Sequence, residues 1–194
     1  MATRTLKASD LTATASYEEG VVPVNNDTVV VREGVVQVTD NLTGFSGFAN
    51  GIDLIVMPGA KLIIGNTGTA FSCKLLSCIA AGALEMVQTG NAAKVALNNP
   101  GCNVSLQSGT LTGAVVRAGH LLAGQGVAVT DLWVPGGVAK VEAHTSTDRV
   151  DTATVNGGLL VCERPIATLR GSSGRAVLRK AATVQDGSGG GVCE

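Results

Sequence analysis

A unit made of a short apolar strand, a glycine corner and a second short apolar strand constrains the fold of this chain more than any other feature. The clearest copy runs from Asp53 to Ile64 and turns at Pro58 and Gly59. Glycine can adopt the positive φ that such a sharp corner needs. Comparable corners recur along the chain, at Gly34, Gly109, Gly136 and Gly157.

The spacing of these corners indicates how the units are arranged. Comparable corners lie roughly 17–27 residues apart, which is typical of a solenoid whose coils stack on one another. Short β-branched strands between glycines also favour an all-β fold. We therefore predict an all-β protein, a β-solenoid resembling a β-helix. A β-sandwich or jelly roll uses the same short strands and stays open as the alternative. The solenoid requires the corners to stack in one column, whereas a sandwich places Gly59 and Gly136 on opposite sheets.

The composition favours a narrow aliphatic interior. Hydrophobic residues make up 45% of the chain but aromatic residues only 3%, and there are 26 glycines. Only 15% of residues are charged, against ~25% in average soluble domains. With so little charge to cover its surface, the protein is expected to bury part of that surface against other chains.

Three segments differ in pattern. Residues 1–26 lack a sustained period and are predicted to form an irregular arm that caps the first coil, since solenoid ends need caps. Residues 27–184 carry the repeated strands of the body. Residues 185–194 are rich in glycine and have the composition of a flexible tail. Within the body, residues 70–81 fit either a short amphipathic helix or strands with Lys74 pointing outward.

Charge and hydropathy argue against two classes of partner. The net charge is −1 and no basic stripe is present, so we expect no nucleic-acid binding. No window approaches the ~18 apolar residues of a membrane-spanning helix, and the N-terminus lacks the apolar segment of a signal peptide. We expect synthesis in a cytoplasm and no membrane partner.

The sequence offers little catalytic chemistry. His120 is expected to be a partly buried structural residue, and the stretch from His144 to Asp148 is expected to be a surface loop. The five cysteines form neither a CxxC motif nor a Cys/His cluster, so we predict buried thiols and no metal site. We predict no catalytic residues, no cofactor and no enzyme activity. A sugar-active surface usually needs aromatic platforms, and only Trp133 and Tyr17 are available for that role, which argues against such an activity.

Two stretches carry a resemblance to a known group of proteins. Glu19–Val31 is similar to the opening of short β-repeat proteins found among bacteriophage structural genes, and Val155–Leu160 resembles their repeat unit. The tryptophan-rich segment that often precedes the proline of that opening is missing here. The resemblance implies a homotrimeric decoration or cement protein. Such a protein is made in the host cytoplasm, sits on the capsid exterior of the virion, and has the major capsid protein as its partner.

A cement protein would bridge capsid subunits through apolar contacts and strand addition. The arm and the tail are the segments expected to make contacts between subunits. The apolar and aromatic residues that we single out for those contacts are Leu6, Leu11, Tyr17, Val21, Val22 and Val192. Two other classes stay open: a bactofilin-like cytoskeletal polymer, and a tailspike-type β-helix that binds or cleaves glycans.

Overall fold

Fifteen strands and one short 3₁₀ helix make up the secondary structure of the described chain. The computed structural model describes residues 1–8, 10–38, 51–65, 74–143, 149–179, 183–189 and 192–193. The 3₁₀ helix spans Thr14–Ser16. The strands are β1 (Thr3–Thr5), β2 (Thr28–Val31), β3 (Val35–Val38), β4 (Ile52–Val56), β5 (Lys61–Ile64), β6 (Leu75–Ala80), β7 (Ala83–Gln88), β8 (Lys94–Leu97), β9 (Asn103–Val116), β10 (His120–Val134), β11 (Val138–Val141), β12 (Val150–Cys162), β13 (Ile166–Leu178), β14 (Val184–Gly189) and β15 (Val192–Cys193).

The strands pair in parallel into two ladders. Ladder A contains β1, β2, β4, β6 and β8, then the second halves of β9 and β10, the first halves of β12 and β13, and β14. Ladder B contains β3, β5 and β7, then the first halves of β9 and β10, β11, the second halves of β12 and β13, and β15. Each coil of the chain contributes one strand to each ladder, which confirms the β-solenoid.

The coils vary in length while the ladders keep their register. Thr152 pairs with Thr168, so that coil contains 16 residues. Val35 pairs with Lys61, and that coil contains 26. The parallel pairing is kept across this ten-residue difference in coil length.

Glycines stack at the corner where the chain passes from ladder A to ladder B. The N–H of Lys61 donates to the Gly34 carbonyl at 2.8 Å, and the N–H of Val138 donates to the Gly119 carbonyl at 2.9 Å. Gly59 occupies the same corner between β4 and β5 with a φ of 85°. Gly136 and Gly157 also lie in this corner column, so the sandwich alternative does not hold.

Gly109 does not belong to this corner column. It lies inside β9, pairs with Val127 of β10, and is therefore part of a second bend. A Cβ at Gly109 would approach the Gly90 carbonyl oxygen within 2.5 Å. The glycine is needed there because two chain segments come close together, and its sequence pattern alone does not distinguish this bend from the first one.

The core lies between the ladders and is aliphatic. Inward positions alternate with outward ones, as in β5, where Leu62 and Ile64 are buried and Lys61 and Ile63 are partly exposed. The largest buried side chains include Leu84, Leu97, Leu106 and Leu160. A parallel stack places the same kind of side chain above itself in each coil, which suits the low content of aromatic residues.

The N-terminal segment folds back onto the first coil. Leu6, Leu11 and Tyr17 are buried, and the Tyr17 hydroxyl donates to the Leu11 carbonyl at 3.0 Å. The outer edge of β1 is occupied at Thr5, whose N–H donates to the Glu19 carboxylate at 2.8 Å and whose carbonyl accepts from the Glu18 N–H at 3.0 Å. These contacts cap the first strand of ladder A.

Both the segment after Lys74 and the C-terminal tail form strands. Leu75–Ala80 is a strand and Lys74 is exposed, whereas residues 70–73 lie outside the described residues. The glycine-rich tail differs from a flexible linker, because the backbones of β14 and β15 continue ladders A and B. Glycines are compatible with this because the pairing uses main-chain groups only.

Candidate functional site

The six residues predicted to contact other subunits lie in different environments. Leu6, Leu11 and Tyr17 are buried against their own chain, so a contact with another chain at these three positions would require the cap to open. Val21 is 46% exposed and Val22 is half-buried. Val192 belongs to β15 at the end of ladder B. Of the five whose side chains are described, Val21 is therefore the one exposed on the surface of its own chain.

The outer face of ladder B carries apolar side chains where a soluble sheet usually carries polar ones. Among the outward residues of β10, β11, β12 and β13, His120 and Arg175 are exposed at the two ends of one row, and Lys140 lies between Leu122 and Val161 in the other. The remaining five are aliphatic and half-buried, while their neighbours along each strand point into the core. We call this set the apolar face of ladder B. Its members are Leu122, Val138, Leu159, Val161 and Val177.

The outer face of ladder A contains two parallel rows of different chemistry. The first row is mainly polar, and the second row, two residues further along each strand, is mainly apolar. The first row contains Asp53, Ser77, Lys94, Gly113, Asp131 and Thr152. The second row contains Ile55, Ile79, Ala96, Val115, Trp133 and Thr154.

A depression of about 580 Å³ lies across these two rows. Gly113 pairs with Lys94 on one side and with Asp131 on the other, so the row lacks a side chain at its middle position. Ala96 and Val115 contribute further small or branched side chains to the lining. We call this depression the Gly113 groove.

Trp133 lies in the lining of the Gly113 groove and is held in place. Its side chain is 40% exposed. The guanidinium carbon of Arg117 lies 5.5 Å from the centre of the indole ring, a cation–π distance. Arg117 in turn donates to the Asn98 side-chain oxygen at 2.9 Å. Of the two aromatic side chains available as a sugar platform, Trp133 is therefore exposed, whereas Tyr17 is buried.

Neither of the two histidines lies in a catalytic arrangement that can be described. His120 is exposed on the outer face of ladder B, so the expectation that it is partly buried was wrong. The stretch from His144 to Asp148 lies outside the described residues. Within the described parts of the chain, no group of three or more His, Cys, Asp or Glu side chains is placed to hold a metal ion.

Three cysteines are free, buried thiols: Cys78, Cys102 and Cys162. Burial raises the pKa of Cys78 to about 12, and it also raises the pKa of Cys102 and of Cys162. A nucleophilic cysteine needs the opposite shift, since the thiolate is the reactive form. These three thiols are therefore suited to packing.

Comparisons with known proteins do not assign this chain to a family. No protein-family model, no curated protein and no solved structure matches the chain. Among the described residues, no helix has the length and apolar character that crossing a membrane would require.

Proposed function

We propose that the protein is a non-enzymatic structural component of a bacteriophage virion, a decoration or cement protein that bridges subunits of the capsid. The partner in this proposal is the major capsid protein, and the protein acts as a homotrimer on the capsid exterior. The proposal joins the resemblance of Glu19–Val31 to phage β-repeat proteins with the surface chemistry of the solenoid.

The apolar face of ladder B is the observation that carries this proposal. Five aliphatic side chains from four neighbouring strands lie in two rows on one face of a parallel sheet, with Lys140 between Leu122 and Val161 in one row. The main chain of this sheet is fixed by its ladder hydrogen bonds. A rigid apolar surface loses little conformational entropy when it is covered by a partner. Repetition of the contact around a symmetric shell would multiply its effect.

The capped N-terminal end favours this role over a head-to-tail filament. A filament built by stacking solenoids end to end would add a strand to the first strand of ladder A. Thr5 already uses its outward N–H and carbonyl within the chain, with Glu19 and Glu18. Strand addition at this position would have to displace those two hydrogen bonds.

The test is co-sedimentation of the purified protein with capsids assembled from the major capsid protein of the phage that encodes it. We expect saturable binding, and we expect Leu159→Lys to weaken it at least tenfold, because a charge would be buried in the contact. Val35→Lys is the matched control: Val35 lies at the opposite end of ladder B and is 69% exposed. Absence of binding by the folded wild-type protein would refute the proposal.

The mass of the native particle distinguishes the proposed homotrimer from a bactofilin-like polymer. The chain has a mass of 19.5 kDa. Light scattering after size exclusion should give about three times that mass, independent of concentration. Filaments formed by the purified protein alone would favour the bactofilin-like alternative instead.

A further inference from the structure

The Gly113 groove places unused polar groups beside an exposed aromatic ring. Lys94 and Asp131 are two strands apart in the same row, on either side of Gly113. Within the described residues, neither of these two charged side chains makes a hydrogen bond or an ion pair. Both are exposed, and with Gly113 between them the space they border is open.

The ring beside this space is already oriented. Trp133 lies next to Asp131 on the same face of β10, and Arg117 covers the ring at 5.5 Å. An aromatic side chain that is fixed before binding loses little entropy when a ligand stacks on it. The hydroxyl-bearing residues Thr152 and Thr154 extend the two rows on the next strand.

The two rows define the chemistry of the ligand. One edge of the ligand must exchange hydrogen bonds with an ammonium group, a carboxylate and hydroxyls, while its opposite side must tolerate Ile79, Val115 and the indole ring. A purely apolar ligand would leave Lys94 and Asp131 desolvated and unpaired, which is costly. A polyphosphate or nucleic acid would meet one cation, Lys94, and one opposing carboxylate, Asp131, so the lining offers it no net positive charge.

We infer that the Gly113 groove binds an oligosaccharide. A sugar ring has hydroxyls along its edge and an apolar C–H face that stacks on an aromatic ring, so it matches both rows at once. The lining includes residues of five neighbouring strands, from Ser77 in β6 to Thr152 in β12. At ~4.8 Å between strands, this span is roughly 19 Å, which is longer than a single sugar ring.

The lining supports binding and does not support cleavage. Glycoside hydrolysis commonly requires two carboxyl groups, one on each side of the scissile bond. Asp131 is the one carboxylate among the described residues that line the groove. The inferred activity is therefore recognition of a glycan, on a face separate from the apolar face of ladder B.

The sole tryptophan of the chain gives a direct measurement of this site. Labelled protein would first be applied to an array of printed oligosaccharides that includes neutral hexose, N-acetylhexosamine and uronic acid chains. The strongest binder would then be titrated while the Trp133 fluorescence is recorded. We expect array binding and a saturable change in fluorescence.

Gly113→Val is the most informative variant. A Cβ at Gly113 has no heavy atom within 4 Å, and the residue does not have a positive φ. The valine should therefore fold normally, occupy the centre of the groove and weaken glycan binding at least tenfold. Trp133→Ala should weaken array binding to the same extent, and Val35→Ala, on ladder B, should leave it unchanged.

Two results would overturn the inference. One is the absence of binding to every oligosaccharide on the array by the folded wild-type protein. The other is equal binding by wild type and Gly113→Val. Because Leu159→Lys tests a different face in the capsid assay, either proposal can fail while the other stands.

Discussion

The N–H of Ala2 donates a 2.6 Å hydrogen bond to the carboxylate of Asp27, 25 positions further along the chain. The second carboxylate oxygen accepts from the N–H of Val24 at 3.2 Å and lies 3.6 Å from Nε of Arg4. One buried side chain thus joins the N-terminal strand, the end of the arm and the start of the first coil of the body.

Replacing Asp27 by asparagine should loosen this junction. An asparagine has one acceptor oxygen, so its amide group would face one of the two N–H donors that the carboxylate now accepts from. We expect a loss of about 1–3 kcal/mol in the free energy of unfolding, typical of a buried donor left unsatisfied. Urea unfolding at pH 7 measures it. Asp151→Asn, in an exposed ion pair with Arg149, should change stability by less than ~0.5 kcal/mol.

The same carboxylate should make stability depend on pH in the acidic range. Burial works against ionisation of Asp27, but the hydrogen bonds from Ala2 and Val24 and the charge of Arg4 together lower its pKa below the usual value. A lowered folded-state pKa contributes stability above the unfolded pKa of ~3.9, and this contribution is lost as the pH falls through the folded value. As the pH falls from ~5 through the folded-state pKa of Asp27, wild type should lose more free energy of unfolding than Asp27→Asn does. Parallel curves for the two proteins would contradict this assignment.

Arg164 is a buried guanidinium that binds three main-chain carbonyls, two in β10 and one just after β11. It donates to the carbonyls of Val127 at 2.7 Å, Glu142 at 2.8 Å and Gly124 at 3.2 Å. Arg164→Met should cost about 3 kcal/mol of unfolding free energy or more, because it leaves buried acceptors without donors. Arg164→Lys should keep part of the unfolding free energy that Arg164→Met loses, since an ammonium group can donate but lacks the planar fork of donors. Arg170→Met, at an exposed position, is the control; equal stability of the Arg164 and Arg170 variants would refute this role.

The corners of the solenoid were predictable because they depend on local chemistry. Gly34 and Gly59 follow short apolar strands, and each has a positive φ that its sequence context indicated. Repetition of that local pattern was sufficient to favour stacked coils. The parallel pairing then followed from the architecture, since neighbouring coils run in the same direction.

The Gly113 groove could not be predicted because it depends on register between coils. Lys94, Gly113 and Asp131 are far apart in sequence and become neighbours only through the pairing of β8, β9 and β10. Coil length varies from 16 to 26 residues, so no fixed interval in the sequence aligns these rows. Arg164 was missed for a similar reason, because its partners are main-chain carbonyls and leave no side-chain motif.

Some glycines should tolerate replacement by alanine and others should not, depending on how close the main chain of the neighbouring coil comes to the added Cβ. A Cβ at Gly82 would lie 2.2 Å from the Met57 carbonyl oxygen and 2.5 Å from that of Ala60, so Gly82→Ala requires the backbone to shift. We expect a cost of about 1–3 kcal/mol, as for other overpacked sites. Gly113→Ala is the matched control and should be neutral or slightly stabilising, since its Cβ would meet no atom within 4 Å. Thermal unfolding of the two variants compares them directly.

The buried thiols should be unreactive while the protein is folded. Cys102 donates to the Gly82 carbonyl at 3.4 Å and Cys162 to the Arg164 carbonyl at 3.3 Å, and burial raises the pKa of both thiols and of Cys78. In a Cys73→Ser/Cys193→Ser variant only these three thiols remain. Ellman's reagent at pH 8 should label none of them within minutes in buffer and all three in 6 M urea, because both access and the thiolate form are gained on unfolding. Rapid labelling in buffer would contradict this prediction and would show that the coils open locally within minutes. Adding Gly82→Ala to the variant should speed the labelling of Cys102 more than that of the other two thiols, because Cys102 contacts the Gly82 carbonyl.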